Sequence, residues 1–382
     1  MENLNNRSHQ VEWLKTDYFN IGLGCVMVTI TVCGIVGNLV STLIYVKLQQ
    51  RHKSTGLLLS ALSILDLVLL LLALPTFAVA PFYSILYGPL IKTVRLKFLD
   101  AWIVVNILYS YPVCRMLRFD RIWLLVIITV ERYVAVCRPL QAVVFCTKIR
   151  AIRCTLLVLA TGACFHSVRF WEHRSSARYG FEPLLSKRKA YRLWYMNVAT
   201  TSAEFLLPLM MLCFLSCRVI CTMQRAHRNR RRLTTGQLNE YNITNMMIAV
   251  IVVFLVCSTI SFVLNNLEWI NRPFFETVWG NLISDISNLL VLLNSASTSL
   301  FYFKFSSSYR SHLKQICSCG RGQSMGSRPS RFLTTGQTKV TLISRSKTTV
   351  DAQPATRSSA ATMWRRTQSL PIGTLQRGSL II

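Results

Sequence analysis

Seven long apolar runs constrain this chain more than any other feature of its sequence. Each run is long enough to cross about 30 Å of hydrocarbon at about 1.5 Å of helix rise per residue. They lie at residues 20–46, 56–84, 101–136, 151–170, 193–221, 245–268 and 277–303. One such run could be a buried core helix, but seven predict an all-α, seven-transmembrane helix bundle. The composition agrees, because 52% of the 382 residues are hydrophobic and only 15% are charged.

The chain divides into four predicted parts. Residues 1–19 form a polar N-terminal segment, and residues 20–303 form the transmembrane domain. Residues 304–316 have an amphipathic pattern that predicts a short eighth helix beside the membrane. Residues 317–382 are rich in Ser, Thr, Arg and Gly without apolar periodicity, which predicts a disordered tail.

Basic residues set the predicted orientation of this multi-pass chain in the plasma membrane. Lys and Arg number 43 against 15 acidic residues, and many lie in the tail. The positive-inside rule therefore predicts a cytoplasmic tail and an outside N-terminus, although the loops alone are nearly balanced. Asn6 opens an Asn-x-Ser triplet and becomes a glycosylation candidate. Cys317 and Cys319 lie where S-palmitoylation occurs; two idle cytosolic thiols are the alternative.

Several other classes of protein and site are disfavoured. The six histidines are scattered, and no glycine-rich phosphate loop is present, so we expect no enzyme, cofactor or metal site. The positive charge lies in the tail and the membrane flanks, which favours membrane lipids over nucleic acid as a partner. Most cysteines fall in the runs or at their inner ends, and the outer loop 173–192 has none, so we expect free thiols.

The third run carries charges that are costly at the centre of a bilayer. These residues are Arg115, Arg118, Asp120 and Arg121. The run can span a membrane only if its charged side chains face other helices or a wet cavity. Charged residues inside a membrane are functional candidates by default.

A specific motif stands at the inner end of the third run. The string Glu131-Arg-Tyr-Val-Ala-Val-Cys-Arg-Pro-Leu140, with Gly37–Val40 in run one and Leu62–Leu67 in run two, resembles the rhodopsin-like (class A) G-protein-coupled receptors. The resemblance covers about residues 20–316. Within that class the chain is most similar to invertebrate FMRFamide-type neuropeptide receptors, through the run-three string, Arg169–Glu172 and the segment from Asn294 to Tyr302.

The resemblance implies functional roles for particular residues. It assigns a G-protein switch to Glu131, Arg132, Tyr133 and Tyr302. It also implies an intramembrane polar core that contains Asn38, Asp66 and Asn294 and that can hold a sodium ion in this family.

The chain departs from the family pattern at several positions. Ile107 stands near the usual run-three cysteine, and Val158 stands near the usual run-four tryptophan. The sixth run lacks the Trp and Pro that usually follow its cysteine, Cys257, and the seventh lacks the proline before Tyr302. Without a proline after Cys257 the sixth helix loses its usual source of a kink, so we expect it to hinge differently from the family's sixth helix.

Depth along the helices predicts a pairing inside the membrane. Arg121 lies eleven residues outward from Arg132, about 16 Å at 1.5 Å per residue. Asp66 lies ten residues into the second run, at about 15 Å. We therefore predict that Arg121 joins the polar core and pairs with Asp66. The alternative is that Arg121 extends elsewhere or pairs with Asp120.

The outer level of the third run predicts a ligand cavity. In the resembled receptors this level lines the cavity, which makes Cys114, Arg115 and Arg118 candidates. Either these arginines bind anionic or carbonyl groups of a ligand, or Glu204 neutralises them in a structural network. Further candidate counter-charges are Glu268 and Asp285. The basic outer loop would attract anionic ligands and repel a cationic RF-amide peptide, which would need the acidic candidates to hold it.

These observations predict a receptor that transmits the binding of a short peptide to a heterotrimeric G protein. The alternative is a divergent seven-helix protein that binds ligand without ligand-driven coupling, by scavenging it or by being constitutively active. A transporter is less favoured, because no internal repeat or broken helix is visible.

Overall fold

The helices of the folded chain follow its apolar runs. The computed structural model describes residues 2–48, 54–78, 82, 101–102, 104–176, 180–185, 187–229, 235–270 and 277–319. All of these belong to one unit, Met1–Gln323. The second unit, Ser324–Ile382, lies outside the described residues, and so does most of the predicted tail.

Nine α-helices occur within the described ranges. They are α1 Glu2–Leu48, α2 Ser54–Ala73, α3 Tyr111–Cys137, α4 Pro139–Phe145, α5 Lys148–His166, α6 Leu207–Asn229, α7 Thr235–Ile270, α8 Val278–Phe305 and α9 Ser307–Cys319. Six helical segments in these ranges are long and apolar enough to cross a membrane. The seventh is α3, whose charges set it apart. The seven-helix bundle is therefore confirmed, and α1 begins well before the first apolar run.

Wider π-helical turns interrupt three of the transmembrane segments. They lie at Leu74–Ala78 after α2, at Asn106–Ser110 before α3, and at Tyr191–Ala199 and Ser202–Leu206 before α6. Three of these turns have a local cause, because Pro75, Pro112 and Pro208 each remove a backbone donor and crowd the carbonyl four residues earlier. By contrast, α7 and α8 run without such an interruption over the bounds given above.

A small β-hairpin marks one end of the bundle. Strand β1, His173–Ser176, pairs antiparallel with β2, Gly180–Pro183, and Arg174 lies opposite Glu182. We refer to this as the hairpin end. The opposite end carries α4 and α9 and is referred to as the α9 end.

Helix α3 occupies the centre of the bundle. It contacts α2, α5, α6 and α7, while α1 packs between α2 and α8. Large apolar side chains on other helices face away from the bundle, with Val36 57% and Leu156 60% exposed. The charged side chains of Asp66 and Arg121 are 0% and 2% exposed. This inside-out distribution is expected for a protein that is surrounded by lipid.

Candidate functional site

A buried ion pair joins α2 to α3 midway through the bundle. Arg121 Nε donates to Asp66 Oδ1, so the predicted pairing is confirmed. Arg121 Nη2 also donates to α8, reaching the Asn294 carbonyl at 3.0 Å, Asn294 Oδ1 at 3.4 Å and Thr298 Oγ1 at 3.2 Å. The guanidinium thus ties three helices together at one level.

Asn38 extends this polar core to α1. Its side-chain amide donates to the Gly34 carbonyl at 3.0 Å and to the Ser295 carbonyl of α8 at 3.2 Å. The helices approach closely here, since a Cβ atom on Gly34 would lie 2.6 Å from the Ala296 Cβ. The structure therefore brings together the polar-core residues that the sequence suggested.

Asp120 faces a different direction from its neighbour Arg121. Its carboxylate lies against Gly162 of α5, where a Cβ atom would collide with it. Asp120 Oδ1 has no hydrogen-bond partner among the described residues. The alternative pairing of Arg121 with Asp120 is therefore wrong.

The hairpin end of the bundle contains a cavity of about 290 Å³. Its wall comes from α3, α7, the segment after α5 and the π-helical turns that precede α6. The charged lining residues are Arg115, Arg118, Arg169, Arg192 and Glu204. A neighbouring cavity of about 250 Å³ lies between α2, α3 and α8, and Arg115 and Arg118 line both.

Glu204 neutralises one of the two α3 arginines. Its Oε1 accepts from Arg115 Nη2 at 3.2 Å and lies 3.4 Å from His166 Nε2. Glu204 itself is 6% exposed. For Arg115, this contact agrees with the structural-network alternative.

Arg118 has no such partner. It forms no hydrogen bond or ion pair with any residue that the structure describes, although Glu204 attracts it over a longer distance. Its side chain lines both large cavities and a small void of about 10 Å³ next to Arg121. The network alternative therefore does not extend to Arg118 as a direct contact.

The segment Arg169–Glu172 fixes the hairpin to the bundle. Arg169 Nη1 donates to Glu172 Oε1 at 3.0 Å, and the Tyr191 hydroxyl donates to the same oxygen at 2.7 Å. The Glu172 carbonyl accepts from the Leu184 amide at 2.8 Å, just after β2. The eleven cysteines whose side chains the structure describes are free thiols, so this polar network, not a disulfide, holds the loop there.

At the α9 end, α2 engages the Glu131–Arg132 pair of α3. Ser54 donates to Glu131 Oε1, and Thr55 donates to the same oxygen at 3.3 Å. Arg132 Nη2 in turn donates to the Thr55 hydroxyl. Arg132 is only 5% exposed, so its guanidinium faces the bundle and not the surface.

Cys146 closes this region from the turn between α4 and α5. Burial raises the pKa of its thiol, and the nearby Glu131 raises the pKa further. The thiol therefore stays protonated at neutral pH, and it donates to the Glu131 carbonyl at 3.9 Å.

A tyrosine cluster lies beside this region. Tyr302 is fully buried and packs edge-on against Tyr45, with ring centroids 5.0 Å apart. Tyr309 of α9 stacks obliquely on both rings and bonds to the Ser41 hydroxyl at 3.0 Å. The α9 helix is thereby docked on α1 and α8. Tyr133 is partly buried near Arg132 on α3.

The remaining predicted site residues fall into two groups. Cys114 is buried in the wall of the 250 Å³ cavity, whereas Asp285 is partly buried on α8 outside the lining of the three cavities. The side chains of four others lie outside the described residues. These are Asn6, Glu268, Cys317 and Cys319.

Sequence reasoning did not identify several partners in these contacts. His166 lies beside Glu204, Thr298 bonds Arg121, and Ser54 and Thr55 hold the α9 end of α3. Small hydroxyl residues are common in membrane helices, so nothing in their local sequence distinguishes them. His166 could have been identified from the sequence, because it is a titratable residue at the end of an apolar run.

Comparison with known proteins shows that the sequence of this chain is similar to those of receptors. The family model described as 7 transmembrane receptor (rhodopsin family) matches residues 37–298. The chain is 32% identical to the FMRFamide peptide receptor frpr-18 of Caenorhabditis elegans, covering 78% of this chain and 69% of that receptor. It is 27% identical to the FMRFamide receptor of Drosophila melanogaster, covering 75% of this chain and 52% of that receptor. It is 23% identical to neuromedin-U receptor 2 of Mus musculus, with 83% and 81% covered.

Proposed function

Since the chain belongs to the rhodopsin family of seven-transmembrane receptors, we propose that it binds a short neuropeptide at the hairpin end and activates a heterotrimeric G protein at the α9 end. The similarity to neuropeptide receptors over most of the chain supports signalling over scavenging. In this proposal the hairpin end faces the outside of the cell, with Asn6 glycosylated. The α9 end faces the cytosol, where Cys317 and Cys319 carry palmitoyl groups that anchor it to membrane lipids.

The observation that carries the proposal is that one helix connects the two sites. Helix α3 lines the cavity with Arg115 and Arg118, pairs with α2 through Arg121, and holds Arg132 against Thr55 at the far end. A ligand that contacts Arg115 or Arg118 can therefore shift the population of conformations around Arg132 at the α9 end.

The α9 end as seen here corresponds to a resting state in this proposal. Arg132 is buried and donates to Thr55, so a G protein can reach it only after α2 and α3 separate locally. Tyr302, also fully buried, would have to leave its contact with Tyr45. The Asp66–Arg121 pair would set the balance between the states.

Nucleotide exchange tests this proposal. The full-length receptor would be reconstituted with a purified heterotrimeric G protein, and the basal and peptide-stimulated rates would be measured. We expect Arg132→Ala to lower the receptor-dependent rate by about tenfold or more, because in this proposal the G protein reaches Arg132 in the active state. A tenfold change corresponds to about 1.4 kcal/mol of transition-state stabilisation.

A matched control is Arg153→Ala, which removes an exposed arginine from α5. Peptide binding should survive in both variants, which separates coupling from ligand recognition. Unchanged exchange in Arg132→Ala, with normal surface expression, would argue for a seven-helix protein that does not signal in this way.

A further inference from the structure

The two large cavities share a cation that has no directly bonded counter-charge among the described residues. Arg118 lines both of them and forms no hydrogen bond or ion pair within the described part of the chain. An arginine side chain stays charged in proteins, so it cannot relieve this burial by losing its proton. Arg118 is partly buried. A partly buried charge without a hydrogen-bonded partner is costly, and the carboxylate or other anionic group of a ligand would relieve that cost.

The acidic residues described around the cavity are already engaged. Glu204 contacts Arg115 and His166 through a single oxygen. Glu172 contacts Arg169 and Tyr191. Asp285 is outside the cavity lining. Within the described residues, therefore, the acidic group in the wall of the 290 Å³ cavity, Glu204, already has Arg115 as its counter-charge.

The lining of the 290 Å³ cavity is positively charged as a whole. Arg115, Arg118, Arg169 and Arg192 face one acidic residue, Glu204. In the neighbouring cavity Arg115 and Arg118 are the charged lining residues, and the polar ones are neutral. A low-dielectric cavity with this balance concentrates anions and repels cations.

We propose that the ligand of this receptor carries a carboxylate and that Arg118 binds it, with Arg192 as a second cation at the rim. This rests on the proposed function and specifies its ligand class. A carboxylate suits the site because the planar guanidinium offers parallel donors that match its two oxygens. Arg118 lies about one helical turn further into the bundle than Arg115 and one turn from Arg121, so the carboxylate belongs to a ligand end or an extended side chain.

Matched peptide mixtures test the proposal without knowledge of the natural ligand. Three tetrapeptide mixtures, all N-acetylated so that the amino end is uncharged, are randomised over uncharged residues. The first ends in a carboxylate, the second ends in an amide, and the third ends in an amide but has one fixed aspartate. Thermal unfolding of the purified full-length receptor is followed against the concentration of each, because a ligand that binds the folded state raises the melting temperature.

We expect a carboxylate-bearing mixture to bind with an apparent Kd about tenfold or more below that of the neutral mixture. One charge-assisted hydrogen bond supplies a factor of this size. Arg118→Gln should abolish the difference, whereas Arg153→Gln, on the exposed face of α5, should keep it. The ligand-free melting temperature of Arg118→Gln should equal or exceed that of the wild type, because no hydrogen bond or ion pair with a described residue is lost and an uncompensated charge is removed.

Several outcomes would overturn the proposal. They are a preference for the neutral mixture, no stabilisation by any mixture, a carboxylate preference that survives Arg118→Gln, and a ligand-free loss of stability in that variant. Any of these with Arg132-dependent nucleotide exchange intact would refute the ligand class alone. Absent exchange with a retained carboxylate preference would instead refute the proposed function.

Discussion

The ion pair between Asp66 and Arg121 gives the most quantitative prediction. Both side chains are buried, at 0% and 2% exposure, and lie in the middle of the bundle. Replacing Arg121 by Met leaves the Asp66 carboxylate without a cation and removes three contacts to α8. Breaking a buried pair in this way costs about 3–5 kcal/mol. At about 2–4 °C per kcal/mol, the melting temperature should fall by about 6 to 20 °C.

Replacing the acidic partner, Asp66, should cost less than replacing Arg121. Asp66→Asn keeps an oxygen that can accept from Arg121 Nε, and the bonds from Arg121 to Asn294 and Thr298 remain. The double variant, Asp66→Asn with Arg121→Met, removes both charges together, and neutral replacements of buried ion pairs are often tolerated. We therefore expect its melting temperature to lie above that of Arg121→Met alone.

The assay is thermal unfolding of purified full-length receptor at one fixed scan rate, because membrane proteins commonly unfold irreversibly. Arg153→Met is the control for loss of an arginine from the surface. A fall of less than about 2 °C in Arg121→Met, or additive losses in the double variant, would refute the pairing energy that we derive.

Sodium provides an independent arm of the same experiment. In the resembled receptors this aspartate belongs to a cluster that can hold a sodium ion, whereas here Arg121 already supplies the positive charge. The wild type should melt at the same temperature in sodium and potassium chloride of equal ionic strength. A clear sodium dependence of the wild type would contradict the view that the guanidinium fills this site.

Two further predictions concern contacts outside the central pair. Gly162→Ala places a methyl group against the Asp120 carboxylate and should cost about 1–3 kcal/mol in thermal stability. Asp120→Ala in the same chain should restore that stability, and a failure to do so would assign the loss to another cause. Glu172→Gln removes the charge that holds Arg169 and Tyr191, at about 1.5–3 kcal/mol for each charged hydrogen bond. Amide exchange in residues 180–185 should accelerate, whereas Lys189→Gln, which removes an exposed charge beyond the hairpin, should leave it unchanged.

The sequence predicted the part of the site that depends on depth along a helix. Arg121 and Asp66 were paired because a fixed rise per residue places them at the same level, and hydrocarbon forces charged side chains inward. Asn294 was placed with them by the resemblance to the receptor family and not by depth along a helix.

Partners that depend on rotation between helices were less predictable. Glu204 was proposed as one of several counter-charges, and the structure selects it for Arg115 but not for Arg118. The π-helical turn Ser202–Leu206 carries Glu204 and changes the phase of the helix relative to an ideal period. Asp285 was an equal candidate by sequence, yet it lies outside the cavity lining.

The sequence by itself determined that seven helices cross a membrane with the charges of α3 turned inward, because hydrophobic length and the cost of buried charge are local properties. Only the tertiary structure decided which charges meet. It joined Arg169 and Tyr191 to the Glu172 carboxylate in place of a disulfide, and it left Arg118 facing two cavities. Such contacts depend on how far each helix is rotated and bent in the packed bundle, and no single segment encodes that.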